Sequence, residues 1–217
     1  MYLHGPSALR IDPGELATLV RAQFGNELRR VGGYSQIGLL GAQACLARSG
    51  GAEPIAVLCA SERGALHETR AALGEELQQG EASMPFTFIA TQPHLAGVLL
   101  AQRGHVVTRV AHVHLAAHAW PWLFAIARGW LAAQECAVLA GWVEEAAAPA
   151  ATHRSDWCVL RNEPAAGAIR CAVADDDEPQ AQRAAHDWMQ RIAAWRAHAQ
   201  PVLTLRGSGG TWRFSAG

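Results

Sequence analysis

The sequence predicts an α/β protein folded as one domain over residues 1–217, and three observations carry that reading. Short apolar runs of strand length alternate with longer segments whose apolar residues recur at helical spacing. Alternation of this kind is what a sheet covered by helices requires. No shift of composition divides the chain, and 217 residues suffice to bury a core of their own.

Taken in order, RIDPGELATLVRAQF (10–24) carries Asp12 as a candidate N-cap and Pro13 at the first helical position, which predicts a short helix. YSQIGLLGAQACLARSGG (34–51) places Ile37, Leu40, Ala44 and Leu46 near helical period and stops at Gly50. PIAVLCAS (54–61) is apolar throughout and bounded by Pro54 and Ser61, so it predicts a strand buried on both faces. ERGALHETRAALGEELQQG (62–80) is amphipathic and helical, with Gly80 as its stop. PFTFIA (85–90) predicts an extended segment, and QPHLAGVLLAQRG (92–104) a short apolar helix closed by Gly104.

The same rhythm continues. VVTRVAHVHL (106–115) is β-branched and extended, WPWLFAIARGWLAAQ (120–134) helical, and CAVLAGWVE (136–144) a buried strand. After a linker-like stretch, WCVLRN (157–162) and AIRCAVA (168–174) predict a hairpin turned by EPAAG. Residues 175–199 read as one long amphipathic helix with an acidic start suited to the helix dipole. PVLTLRG and TWRFSAG, joined by SGG, form a final strand pair.

Composition excludes several classes of function. A net charge of -1 supplies no basic footprint for nucleic acid or an anionic membrane. All 18 basic residues are arginine, so no lysine exists to form a Schiff base. MYLHGPSALR has no charged n-region leading into an apolar stretch, and no run reaches the roughly 18 apolar residues of a spanning helix. The expectation is a cytoplasmic protein. Cys45, Cys59, Cys136, Cys158 and Cys171 are scattered, never in CxxC spacing, and read as thiols of a reducing compartment.

Four motifs are candidates for chemistry. His112 and His114 share one face of a strand, and His118 follows by four residues, a spacing that would suit zinc. A fourth ligand is not evident, so these histidines are expected to serve as polar groups rather than metal ligands. ADDDEP (174–179) reads as a helix cap rather than a cation site. GSGGT (207–211) precedes a strand and lacks a Walker lysine, so it reads as a turn. Ser61–Arg63 offers no nucleophile elbow, and no triad is assembled.

The order and spacing of three stretches resemble the N-terminal half of β-ketoacyl synthases, the condensing enzymes of the thiolase fold, over about Tyr34 to Glu145. IAVLCASERGALHET looks like the family's strand, glycine turn and helix. SMPFTFIATQPHLAGVLLAQRG is similar to its segment in which a phenylalanine precedes a helix with an Ala-Gly pair. HLAAHAWPWLFAIARGWLAAQECAVLAGWVEE looks like the run from the active-site elbow through its helix to a strand ending in Ala-Gly and an acid. The resemblance implies a single thiolase-like domain, a mixed sheet covered by helices, over residues 1–217.

Counted back from Ala140-Gly141, the position of the family's nucleophilic cysteine falls on Ala117, beside His118 and Trp120 in the elbow region. Alanine cannot carry an acyl group. The two histidines and the lysine that ketosynthases take from a C-terminal half have no counterpart. The resemblance therefore implies a non-catalytic subunit of chain-length-factor type, with no cofactor and no metal, paired with an active ketosynthase in type II polyketide, aryl polyene or fatty-acid-like synthesis. A homodimer is the other arrangement open to it, and acyl carrier protein a further partner. In the family, N-terminal halves associate through the strand before the elbow, here Val106, Val107, Thr108, Arg109, Val110, His112 and His114. The tunnel end falls on Phe86, with Thr87 and Phe88 beside it. The alternative is a stand-alone acyltransferase or hydrolase using His118 or Cys136.

Overall fold

The computed structural model describes residues 1–50, 53–79, 85–115, 120–133, 136–148, 150–175, 181–184, 187–198 and 200–217. In chain order the elements are β1 (Tyr2–Ile11), α1 (Leu16–Phe24), α2 (Gly33–Ser49), β2 (Ile55–Ser61), α3 (Leu66–Gln79), α4 (Pro85–Ala90), α5 (Leu95–Gln102) and β3 (Val107–His114). There follow α6 (Trp120–Ala133), β4 (Ala137–Glu144), β5 (His153–Arg161), β6 (Ile169–Ala174), β7 (Gln182–Arg183), α7 (Trp188–Ala197), β8 (Val202–Gly207) and β9 (Gly210–Ala216).

The strands form one mixed sheet in the order β3-β2-β4-β5-β1-β6-β9-β8-β7. β3, β2 and β4 run parallel, β5 turns antiparallel to β4, and β1 is antiparallel to β5. Every residue of β2 and of β4 is buried, which is why neither sequence alternates: helices cover both faces. On one face lies a core in which α2 packs with Phe24 and Val20 of α1 and Leu99 and Leu100 of α5. On the other, α6 and α7 bring Trp120, Phe124 and Trp188 onto Trp212 and Phe214 of β9. The Phe124 ring lies 5.2 Å from that of Trp212 and 5.5 Å from that of Trp120, at tilted angles that suit aromatic pairs.

Two glycines let α2 and the sheet approach. A β-carbon at Gly41 would stand 2.1 Å from Ser155 Oγ, and one at Gly141 would stand 2.2 Å from the Trp157 ring. The space they leave lets Ser155 Oγ donate to the Ile37 carbonyl at 2.8 Å and accept from Trp157 Nε1 at 2.9 Å, so the helix is tied to the sheet through a buried polar pair.

The α/β class and the mixed sheet covered by helices agree with the sequence, and several local readings are completed or corrected. Tyr2–Ile11, unassigned from sequence, is a ten-residue strand. It lies between β5 and β6, so 157–174 is not a hairpin. Asp12 closes a turn by accepting from the Glu15 N–H at 2.9 Å, and the helix begins only at Leu16. PFTFIA is the helix α4 rather than an extended segment. The single helix expected over 175–199 is, among the described residues, a short β7 and then α7. Cys45, Cys59, Cys158 and Cys171 are buried free thiols, while Cys136 is half-buried. Among the described residues no helix is long and apolar enough to cross a membrane.

Candidate functional site

Among the described residues β3 closes one side of the sheet, with β2 as its sole neighbour in the strand order. The Leu115 N–H donates to the Ser61 carbonyl at 3.0 Å, and the register from Ala56↔Arg109 to Ser61↔His114 is unbroken. Backbone groups alternate in direction along a strand. The N–H groups of Arg109, Ala111 and Val113 therefore turn toward β2, as that of Leu115 does, and those of Val110, His112 and His114 turn to the outer edge. Val106 precedes the strand, 58% exposed, with its carbonyl accepting from the Ile55 N–H. Val107 is half-buried, and Thr108 and Arg109 are exposed, the Arg109 guanidinium lying 5.1 Å from the Trp130 ring centroid.

At the far end of β3 a neutral polar cluster fastens the strand ends. His112 Nε2 meets Ser61 Oγ at 2.9 Å and Tyr34 OH at 3.1 Å, while Ser61 Oγ accepts from the Gly64 N–H at 2.8 Å. Burial, aided by the His114 and His94 charges, holds His112 down to about 4, so its ring is neutral. Burial likewise pushes the Tyr34 hydroxyl up and the Cys59 thiol up to about 12. A serine hydrogen-bonded to a histidine suggests a nucleophile and its base, but Ser61 is completely buried beneath the turn that leads to α3. Its hydroxyl is a structural bridge. A base poised near neutrality would serve catalysis far better than one held at 4.

Beside this cluster the ends of β2 and β4 carry charge. Glu144 accepts from the Glu62 N–H and from Arg63 Nε, both at 2.8 Å, and Arg63 also donates to the Glu145 carbonyl at 3.0 Å. Glu68 of α3 accepts from the Tyr34 N–H in the first turn of α2 at 3.2 Å. Burial, then the neighbouring Glu68 charge, raises Glu145 to about 7. A cavity of about 360 Å³ opens here, lined by Gly33, Arg63, His67, Arg70, Glu145 and His153 among others. Sequence reasoning assigned no site role to Tyr34, Glu68, Glu144 or Glu145, and weighed Ser61 only as part of a nucleophile elbow that it rejected. The one signal present was the pair of acids closing an apolar strand, since a buried strand end must find them partners.

The remaining sequence candidates are dispersed. Phe86 and Phe88 stand 59% and 61% exposed on α4, with Thr87 half-buried between them and the Arg30 guanidinium 5.6 Å from the Phe86 ring. Trp120 is fully buried at the start of α6, its indole Nε1 without a hydrogen-bond partner among the described residues. Ala117 and His118 lie outside the described residues. The rings of His112 and His114 meet edge to face at 4.7 Å, and among the described residues no group of three or more histidine, cysteine or acidic side chains is placed to hold a metal. Cys136 Sγ lies 3.8 Å from Thr108 Oγ1. GSGGT is the turn of the β8–β9 hairpin, as expected.

No protein-family model matches the sequence, and no curated protein matches it. Solved structures do match its fold. One is a chain of the ketosynthase ApeO in complex with its chain length factor ApeC from Xenorhabdus doucetiae, with a TM-score of 0.63, 13% identity, and 98% of each chain covered. Another belongs to AntDE:AntF, a type II polyketide synthase acyl carrier protein in complex with its ketosynthase bound to the hexaketide, with a TM-score of 0.60, 12% identity, and both chains covered completely. A third is ChlB3, described as an "Aceyltransferase", with a TM-score of 0.51, 10% identity, and 99% of this chain and 96% of that one covered. Over its whole described length, the chain has the thiolase-like fold found in ketosynthase and chain-length-factor complexes.

Proposed function

We propose that this chain is a non-catalytic ketosynthase-like subunit of chain-length-factor type, which pairs with an active ketosynthase and shapes its acyl tunnel in type II polyketide, aryl polyene or fatty-acid-like synthesis in the cytoplasm. The observation that carries this reading is β3: an edge strand whose outward N–H groups are presented beside half-buried valines. An edge of that kind invites a covering strand. The similarity to chains from ketosynthase complexes, spanning 98–100% of those chains, supports a ketosynthase as the partner. Alanine at 117, the position counted as the nucleophile's, supports a subunit without acyl chemistry of its own. The aromatic pair Phe86 and Phe88, exposed in the single chain, is suited to form the wall of a tunnel that the partner completes.

The stand-alone acyltransferase or hydrolase has less to recommend it. Cys136 accepts from the Thr108 hydroxyl, and a hydroxyl is no general base for a thiol. The test is incubation of the purified chain with an acyl carrier protein thioester, followed by intact mass, in parallel with co-purification alongside the ketosynthase of the same operon. The reading expects no acyl adduct and a complex of both chains. Stoichiometric acylation of the isolated chain would overturn the non-catalytic assignment, and a homodimer indifferent to the ketosynthase would overturn the pairing.

A further inference from the structure

α3 is oriented against its own composition. Its inner face carries the charged Glu68, 8% exposed, while Leu73 and Leu77 stand 49% and 80% exposed. Four positions apart, the two leucines share one stripe of the helix. Nine positions after Glu68 is about two and a half turns, so Leu77 lies on the opposite side. A helix that serves only its own core turns its leucines inward and its carboxylates out. Here Glu68 is held inward by the first turn of α2, where it accepts from the Tyr34 N–H at 3.2 Å, and the leucines face outward.

This exposure is concentrated on one part of the chain. Among the described residues eleven large apolar side chains are exposed, and seven of them lie between Leu73 and Val106, on α3, α4, α5 and the entry to β3. α3 packs on α4, and α5 packs on β3 through Gly97 and Val110. A concentration of that kind marks a surface that another molecule covers. Size says which molecule. A stable interface takes about 20–30 residues from each side. β3 supplies eight, so strand pairing alone falls short by more than half, and the apolar surface that adjoins it is suited to make up the difference.

We propose that the Leu73 and Leu77 stripe of α3 is a second docking surface for the ketosynthase, covered together with α4 when β3 is paired. The proposal rests on the reading of β3 as the pairing strand. Arg70 stands exposed three positions before Leu73, and Glu76 one position before Leu77, so charge of both signs borders the stripe. The surface that meets it is apolar at the centre and polar at the rim. Its role differs from that of the strand. Backbone pairing along an edge is open to any strand, whereas projecting side chains select a partner by the shape of the surface that receives them.

Biolayer interferometry of the full chain with the ketosynthase of the same operon tests this, with Leu73→Gln/Leu77→Gln and Val202→Thr beside the wild type. All three positions are exposed, so each variant should keep the wild-type circular dichroism spectrum. Removal of two leucines from a buried contact is expected to raise Kd roughly tenfold or more. Val202, 45% exposed at the start of β8 and distant from β3 in the strand order, should leave Kd unchanged when replaced. Undiminished affinity of Leu73→Gln/Leu77→Gln would overturn the α3 surface and leave the pairing with the ketosynthase standing. Absence of binding by the wild-type chain would overturn the pairing itself; a dimer of this chain that the double variant weakens would then assign the stripe to a second copy. Oxidative footprinting of the wild-type chain covers the case of a variant that does not fold. Protection of Leu73 and Leu77 in the complex is expected, and unchanged reactivity would overturn the proposal.

Discussion

Gly97 of α5 lies against Val110 of β3 so closely that a β-carbon at 97 would stand 2.7 Å from both valine methyl carbons. The edge strand thus takes its position from a helix that carries no side chain at the contact. Gly97→Ala is expected to destabilise the chain by roughly 1–3 kcal/mol through overpacking, against a gain in helix propensity of at most about 1 kcal/mol. Val110→Ala in the same chain restores the space and should recover most of the loss. Urea unfolding of both single variants and the double variant reads the coupling. Additive losses would show that the two residues do not press on each other.

His112 gives a second expectation, in acid. Its value falls from 6.5 to about 4 because its ring is buried against Ser61 and Tyr34. Between those limits the unfolded chain binds a proton that the folded chain refuses, so this contribution to stability is whole above pH 6.5 and lost as pH falls toward 4. His112→Gln keeps a polar group and removes the titration. Its stability should be lower at neutral pH by about 1 kcal/mol for the impaired hydrogen bonds, yet fall less steeply between about pH 6.5 and 4. Parallel curves for the two proteins would show that His112 does not titrate in this window.

The elements that the sequence made legible are those whose pattern is local. β2 and β4 are unbroken apolar runs, and α2, α3 and α6 keep helical spacing over 14 to 17 residues. β1 was left unassigned from sequence, its strand pattern interrupted by Gly5-Pro6. In the structure the pair sits at a shift of register between His4 and Ser7, where Gly5 takes a φ of +55° and a β-carbon would stand 2.7 Å from the Cys45 carbonyl oxygen, so that both conformation and space require glycine. Its insertion between β5 and β6 joins residues more than 140 positions apart, which no local pattern encodes. α4 went the other way: Phe86, Thr87, Phe88 and Ile89 favour strands, but α4 packs as a helix on α3, and tertiary context overrides so short a run. At the candidate site the histidines were visible as a motif. Their partners Tyr34 and Ser61 come from other elements, 78 and 51 positions away, and could not be read from spacing.

Phe86 bears on product rather than on folding. At 59% exposure its ring contributes little to the core, so Phe86→Ala should shift Tm only slightly. In a reconstituted reaction with the ketosynthase, removal of the ring should lengthen the acyl product by opening the tunnel end. Mass analysis of the released chains is the readout. Unchanged product length would remove Phe86 from the tunnel wall, and Phe88→Ala, exposed on the same short helix, is the natural second variant.

The central claim is that β3 is the strand through which this chain meets its ketosynthase, and proline at Val110 tests it most directly. The Val110 N–H turns away from β2, so proline there removes a donor from the outer edge while leaving the ladder to Val57 in place. The variant should therefore remain folded, with a circular dichroism spectrum like that of the wild type. Size-exclusion chromatography with the ketosynthase should show the wild-type chain eluting in the complex and the Val110→Pro chain eluting alone. A folded Val110→Pro chain that binds the ketosynthase with undiminished affinity would contradict the account.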